Sequence, residues 1–105
     1  MNIIIKGTNI EITDKLRQLI NEKIGSLYRF LQNMDEGAIE ARVEVGKPSL
    51  HHKTGFVYYA EANFKIPGTL LRAEAEHVEL EFAINEVKNE LEKQIKTYKG
   101  KLSEI

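Results

Sequence analysis

The sequence predicts an α+β fold of two layers, a four-stranded sheet with two helices packed on one face, in the order β-α-β-β-β-α. Three observations predict it. Two long stretches place apolar residues at spacings of three and four, the signature of a helix with one buried stripe. Three later segments alternate apolar and polar residues, the signature of half-exposed strands. The chain has 105 residues, 42% of them hydrophobic, which suits one domain spanning residues 1–105 with a single two-layer core.

The first strand is the β-rich run Ile3, Ile4 and Ile5, ending near Gly7. Ile10 and Ile12 lead to Thr13, whose hydroxyl suits an N-cap, and Asp14 suits the positive end of a helix dipole. Leu16, Ile20, Ile24, Leu27 and Leu31 then define a helix from Asp14 to Phe30. Gly25 inside it costs about 1 kcal/mol relative to alanine. The polar stretch from Asn33 to Gly37 ends that helix.

Ile39, Ala41, Val43 and Val45 alternate with Glu40, Arg42 and Glu44, so the second strand has one apolar and one charged face. Gly46 to Gly55 reads as a loop carrying Pro48, His51, His52 and Lys53. Phe56, Tyr58, Ala60, Ala62, Phe64 and Ile66 alternate again as the third strand. Pro67-Gly68 sits where a type II turn wants proline and glycine, and Leu71, Ala73 and Ala75 continue the inward face in a fourth strand. The three later strands should form an antiparallel meander. The second helix runs from Val78 to Lys101, with Leu80, Ile84, Val87, Leu91, Ile95 and Tyr98 as its stripe.

Several function classes find no support. With no cysteine there is neither a disulfide framework nor a thiolate nucleophile. The longest apolar runs fall far short of the roughly 20 residues that span a bilayer. The N-terminus lacks a signal peptide's basic start and apolar core, so a cytoplasmic protein is expected. No Gly-rich loop links a strand to a helix, and Ser26, Ser49 and Ser103 lie in no nucleophile elbow. His51 and His52 are adjacent and point apart in an extended segment, while His77 lies at a helix start. No catalytic residue, metal site or cofactor is therefore assigned.

The charge is sorted along the chain. Acids crowd the start of the second helix as Glu76, Glu79, Glu81 and Glu86. From residue 88 to 101 five lysines meet two acids, a formal charge of +3 in a chain of −1. On a helical wheel Lys88 and Lys99 lie together beside the apolar stripe, with Lys96 and then Lys93 further round. Such a band can track phosphates. It is also what a solvated, dipole-favoured helix end looks like, with Glu92 and Lys96 as an ordinary i,i+4 pair. Tyr28, Tyr59 and Tyr98 are candidate base-stacking residues, or half-buried aromatics.

Three motifs in order resemble one family. Asn9-Ile10-Glu11-Ile12-Thr13, followed by Leu16-Arg17, Lys23-Ile24 and Leu27, is similar to the opening of the ribosome hibernation-promoting factors, also described as ribosome-associated inhibitors or protein Y. Pro67-Gly68 with Leu71-Arg72-Ala73 resembles their strand-turn-strand. Ala83-Ile84-Asn85-Glu86, Leu91-Glu92-Lys93-Gln94-Ile95 and Tyr98-Lys99 resemble their second helix. The resemblance implies a fold similar to a double-stranded-RNA-binding domain. It also implies binding to the small ribosomal subunit, in the channel used by mRNA and tRNA. Translation would be blocked there in stationary phase or stress, without catalysis.

Carried over residue by residue, Arg17, Lys23, Arg29, Lys93, Lys96 and Lys99 fall at basic positions of the family, and with Lys88 they form the expected rRNA-binding set. Ser26 and Glu90 stand where lysine is common, Glu81 where tyrosine is common, and Val78 where an acid is usual, so the surface is less basic than the family's. Some members carry a second domain that pairs two ribosomes; the chain stops at Ile105, which fits either a natural short form or a truncated one. Two rival readings remain. One is a homodimer formed through an exposed edge of the Val43 and Phe56–Ile66 strands. The other is a histidine-dependent or metal enzyme using His51, His52 and His77.

Overall fold

A computed structural model describes residues 1–48 and 57–103. Strand β1 (Asn2–Thr8) is followed by helix α1 (Asp14–Gly25), a 3₁₀ turn (Ser26–Phe30) and a shorter one (Glu36–Ala38). Strands β2 (Glu40–Gly46), β3 (Tyr58–Ile66) and β4 (Thr69–His77) then lead into helix α2 (Leu80–Ser103). This is the α+β order expected from the periodicities. Phe56 and the loop histidines His51 and His52 lie outside the described residues.

The sheet order is β1-β2-β3-β4. β2, β3 and β4 form the antiparallel meander, with Val43 opposite Ala62 and Ala62 opposite Ala73. Gly68 takes a φ of 78°, the left-handed value that the third position of a type II turn demands. β1 runs parallel to β2, with Ile5 opposite Val43, because the chain returns through the α1 crossover. That pairing is close at its far end. A Cβ on Gly46 would collide with the carbonyl oxygen of Thr8. Asn9, in the left-handed region at φ 60°, turns the chain there and donates its side-chain amide to the Lys47 carbonyl at 3.1 Å.

This topology corrects the homodimer expectation. β2 and β3 are the inner strands, so Val43 and the third strand present no free edge. The outer strands are β1 and β4. Part of the β4 edge is already covered. The Gln94 amide donates to the Arg72 carbonyl at 2.8 Å and accepts from the Arg72 N–H at 3.3 Å, as a neighbouring strand would.

Both helices cover the same sheet face. Ile20, Ile24 and Leu27 meet Ala41, Val43, Val45, Ala62 and Phe64, and α2 closes the core with Ala83, Ile84, Val87, Leu91 and Ile95. Leu91 and Ile95 are fully buried, so truncating either to alanine should cost about 2–5 kcal/mol. Among the described residues no polar or charged residue is buried.

The first helix departs from expectation at its end. Regular α geometry stops at Gly25 and tightens into the 3₁₀ turn. The Ser26 hydroxyl donates to the Lys23 carbonyl at 2.7 Å, taking an acceptor that α geometry would otherwise offer to the backbone. At the other junction His77 ends β4 rather than starting a helix. Its Nδ1 accepts the Glu79 N–H at 3.0 Å, and its ring packs 4.9 Å from Phe82, so it steers the chain into α2.

Candidate nucleic-acid interface

α1 and α2 run side by side in the same direction. Glu81 shares a groove with Leu16, Leu19 and Glu22 near the helix starts, whereas Arg29 and Phe30 reach Glu92 and Lys96 further on. Both C-terminal ends therefore lie at one end of the molecule. Their aligned dipoles favour cations there and acids at the starts. The side chains follow: Asp14 and Glu81 occupy the first turns, Lys23 and Lys101 the last.

Four of the seven predicted basic residues gather where the 3₁₀ turn after α1 meets the middle and second half of α2. Glu92 is the hub. Its Oε2 accepts from Lys96 at 3.2 Å, and its Oε1 lies 3.7 Å from Arg29 and 3.9 Å from Lys88. The hydrogen bond from Lys96, helped by the charges of Lys96, Lys88 and Arg29, holds the Glu92 carboxyl below the usual carboxylate range against partial desolvation. Three cations share one anion, leaving a formal surplus of +2. Arg29 and Lys96 also flank the Phe30 ring, at 4.7 and 5.4 Å from its centroid. Lys99 lines a groove with Phe30 beside them.

The other three stand apart. Lys93 sits on the far flank of α2, in a groove with Glu90, Gln94, Tyr98 and Lys101 against Thr69 and Leu71 of β4. Arg17 is exposed on the first half of α1, and Lys23 is half-buried in its last turn. The glutamates divide in the same way. Glu81 lies at the opposite end from the cluster, Glu90 lies on the Lys93 flank, and only Glu92 sits among the cations.

The predicted tyrosines are engaged elsewhere. Tyr59 is on the open sheet face and donates to Glu44, Tyr98 donates to the Pro67 carbonyl at 3.3 Å, and Tyr28 packs against the core. The aromatic ring at the cation cluster is Phe30, which sequence reasoning read only as the end of a helix. Glu92 was half legible. Its spacing of four from both Lys88 and Lys96 signals a shared carboxylate, but the link to Arg29 needs the helices to be neighbours.

The remaining surface offers little for chemistry. Among the described residues no group of three or more histidines, cysteines or acids could hold a metal ion. Among those residues no helix is long and apolar enough to cross a membrane.

Comparison with known proteins agrees with this fold. The chain is 29% identical over 99 residues to a ribosome hibernation promotion factor of Staphylococcus aureus (strain COL), covering 94% of this chain and 48% of that protein. It is 24% identical over 95 residues to the factor of the same name from Deinococcus radiodurans, covering 90% of this chain and 47% of that one. It thus spans about half the length of both. The crystal structure of the Thermus thermophilus Protein Y N-terminal domain superimposes with a TM-score of 0.77 at 31% identity, covering 93% of this chain and 99% of that one. A ribosomal subunit interface protein from Coxiella burnetii, 24% identical, shares the fold with a TM-score of 0.73, covering 95% and 99% of the two chains. The pattern of one family matches residues 3–103, nearly end to end, and the chain belongs to it: the Sigma 54 modulation protein / S30EA ribosomal protein family.

Proposed function

We propose that this protein binds the small ribosomal subunit through the surface where the end of α1 and its 3₁₀ turn meet α2, and blocks translation by occupying the channel used by mRNA and tRNA. The observation that carries the reading is the cluster of Arg29, Lys88 and Lys96 on Glu92, with Lys99 beside it, in a chain of this family. The cluster keeps a positive surplus although the whole chain is slightly negative. Phosphates are the natural partner for such a local surplus. Arg17, Lys23 and Lys93 extend the contact on either side. The mechanism is steric occlusion in the cytoplasm, with no bond made or broken and no cofactor. The relatives named as hibernation promotion factors support the biological setting, an idle ribosome during stress or stationary phase.

Co-sedimentation with small ribosomal subunits at rising salt tests the proposal. Binding should be strong at low salt and fall linearly on logarithmic axes as counterions compete. Failure to sediment even at low salt would refute it. Lys93→Glu combined with Lys96→Glu should weaken binding and flatten the salt slope by about two contacts.

A further inference from the structure

The cation cluster has an apolar neighbour that charge alone does not explain. A groove of about 290 Å³ lies between the 3₁₀ turn and the last turns of α2. It is lined by Phe30, Leu31, Asn33, Met34, Lys99 and Leu102. Leu102 is 48% exposed there. Phosphate contacts need only cations, so an apolar slot in their midst asks for a ligand that is both flat and anionic. The volume lies at the small end of ligand pockets, which run from about 300 Å³ upward, and suits one ring system.

We infer that this groove receives a single unpaired RNA base, whose own phosphate is met by Lys96 and Lys99. Charge complementarity selects this occupant over an apolar peptide, because Lys99 lines the groove, Arg29 and Lys96 lie over its Phe30 wall, and among the described residues Glu92 is the acid paired with those cations. Phe30, Met34 and Leu102 supply apolar walls for the base. The Asn33 amide, with donor and acceptor on one group, can pair with a base edge. A duplex keeps its bases stacked inside, so the groove favours single-stranded RNA. The inference rests on the RNA-binding reading above and adds base recognition to phosphate contact.

Fluorescence anisotropy with a labelled six-nucleotide single-stranded RNA tests it, against an all-abasic strand of the same length and charge. The base-bearing strand should bind at least about fivefold tighter, the lower end of what one stacked base contributes. Leu102→Asn, at an exposed position, should bring that ratio close to one. Phe30→Ala should do the same, with a circular dichroism melt to check its fold. Because the ratio compares strands of equal charge, it is blind to general electrostatic changes. Equal affinity for the two strands, or a ratio that survives both substitutions, would overturn the proposal. So would adenosine monophosphate competing as well as the strand, since the occupant is a base within a chain. Subunit binding without base discrimination would sink this inference and leave the ribosome reading standing. Base discrimination without subunit binding would do the reverse.

Discussion

On the helix layer one carboxylate, Glu92, serves three cations, whereas on the open sheet face one guanidinium, Arg72, serves two carboxylates. Arg72 lies 3.5 Å from both Glu61 and Glu74. Beside it Glu44 takes hydrogen bonds from Tyr59 and Thr8 and lies 4.0 Å from Lys6. Exposed pairs of this kind contribute only about 0–1 kcal/mol each, so neither network is built chiefly for stability. What differs is the charge left over. The helix layer keeps a positive surplus at one end, and the sheet face keeps a negative one around Tyr59, Glu61, Glu74 and Glu76. A polyanion would be attracted to the first and repelled from the second.

The hardest blow to that contrast is charge reversal on one face at a time. Arg29→Glu with Lys96→Glu should weaken small-subunit binding about 100-fold, since each lost charge-assisted contact contributes about 1.5 kcal/mol or more and 1.4 kcal/mol is tenfold. Lys6→Glu with Arg42→Glu, equal in charge but on the sheet face, should change it by less than about threefold, as expected of charges a Debye length or so away. Titrations at one fixed salt concentration decide it. Equal losses from the two pairs would mean that net charge, not the helix face, governs binding.

Removing the shared anion sharpens the comparison from the other side. Glu92→Gln frees Arg29, Lys88 and Lys96 and deletes the one negative charge among them. Affinity at low salt should rise roughly threefold to tenfold, with a steeper salt slope. A loss of affinity would show that Glu92 matters more for holding the cations in place than for opposing phosphate.

How much of this was legible in the sequence depends on whether a feature is local. The alternation of Ala41, Val43 and Val45 and the stripe of Ile84, Val87, Leu91 and Ile95 each report one element's buried face, and each is buried as expected. Local hydrogen bonding also left a mark: Thr13 caps α1 by accepting the Leu16 N–H at 3.1 Å. The site was legible only where charge lies on one helix. Lys88, Lys96 and Lys99 share a flank because helical spacing says so. Arg29 and Phe30 join them only because the 3₁₀ turn brings the chain beside α2, a tertiary fact with no short-range signal. Lys93, five residues from Lys88, falls on the other flank for want of the right rotation.

The open face has its own pH signature. The hydrogen bond from Tyr59 leads in holding the Glu44 carboxyl below its usual range, and burial followed by that same bond pushes the Tyr59 phenol upward. The two signs are opposite. The depressed Glu44 contributes stability that is present above the ordinary carboxylate range and lost as pH falls through its folded value. The raised Tyr59 contributes stability that is full below the ordinary tyrosine value and lost as pH rises through its folded one. The bond is therefore intact across the neutral range and fades at both extremes. Tyr59→Phe should cost about 1 kcal/mol at neutral pH and flatten both limbs of a stability profile followed by urea unfolding. Subunit binding should not move, because this bond lies on the face turned away from the cations.

The smallest effect concerns the flank of α2 that carries no cation cluster. There the helix's polar side chains serve the sheet instead: Gln94 pairs with both backbone groups of Arg72, and Tyr98 donates to the Pro67 carbonyl. Gln94→Ala removes two hydrogen bonds at an exposed edge and a third to Glu90, all exposed so that water replaces them, and about 0.5–1 kcal/mol should be lost. That corresponds to a melting shift of a few degrees for a chain of this size. The larger consequence is exposure of β4 backbone that a second chain can pair with. Light scattering should then show mass rising with concentration for Gln94→Ala and not for the wild type, while RNA affinity stays the same. A monomeric variant would mean that Arg72, Glu74 and the twist of β4 already suffice to refuse a partner strand. The Gln94 amide would then position α2 rather than guard the edge.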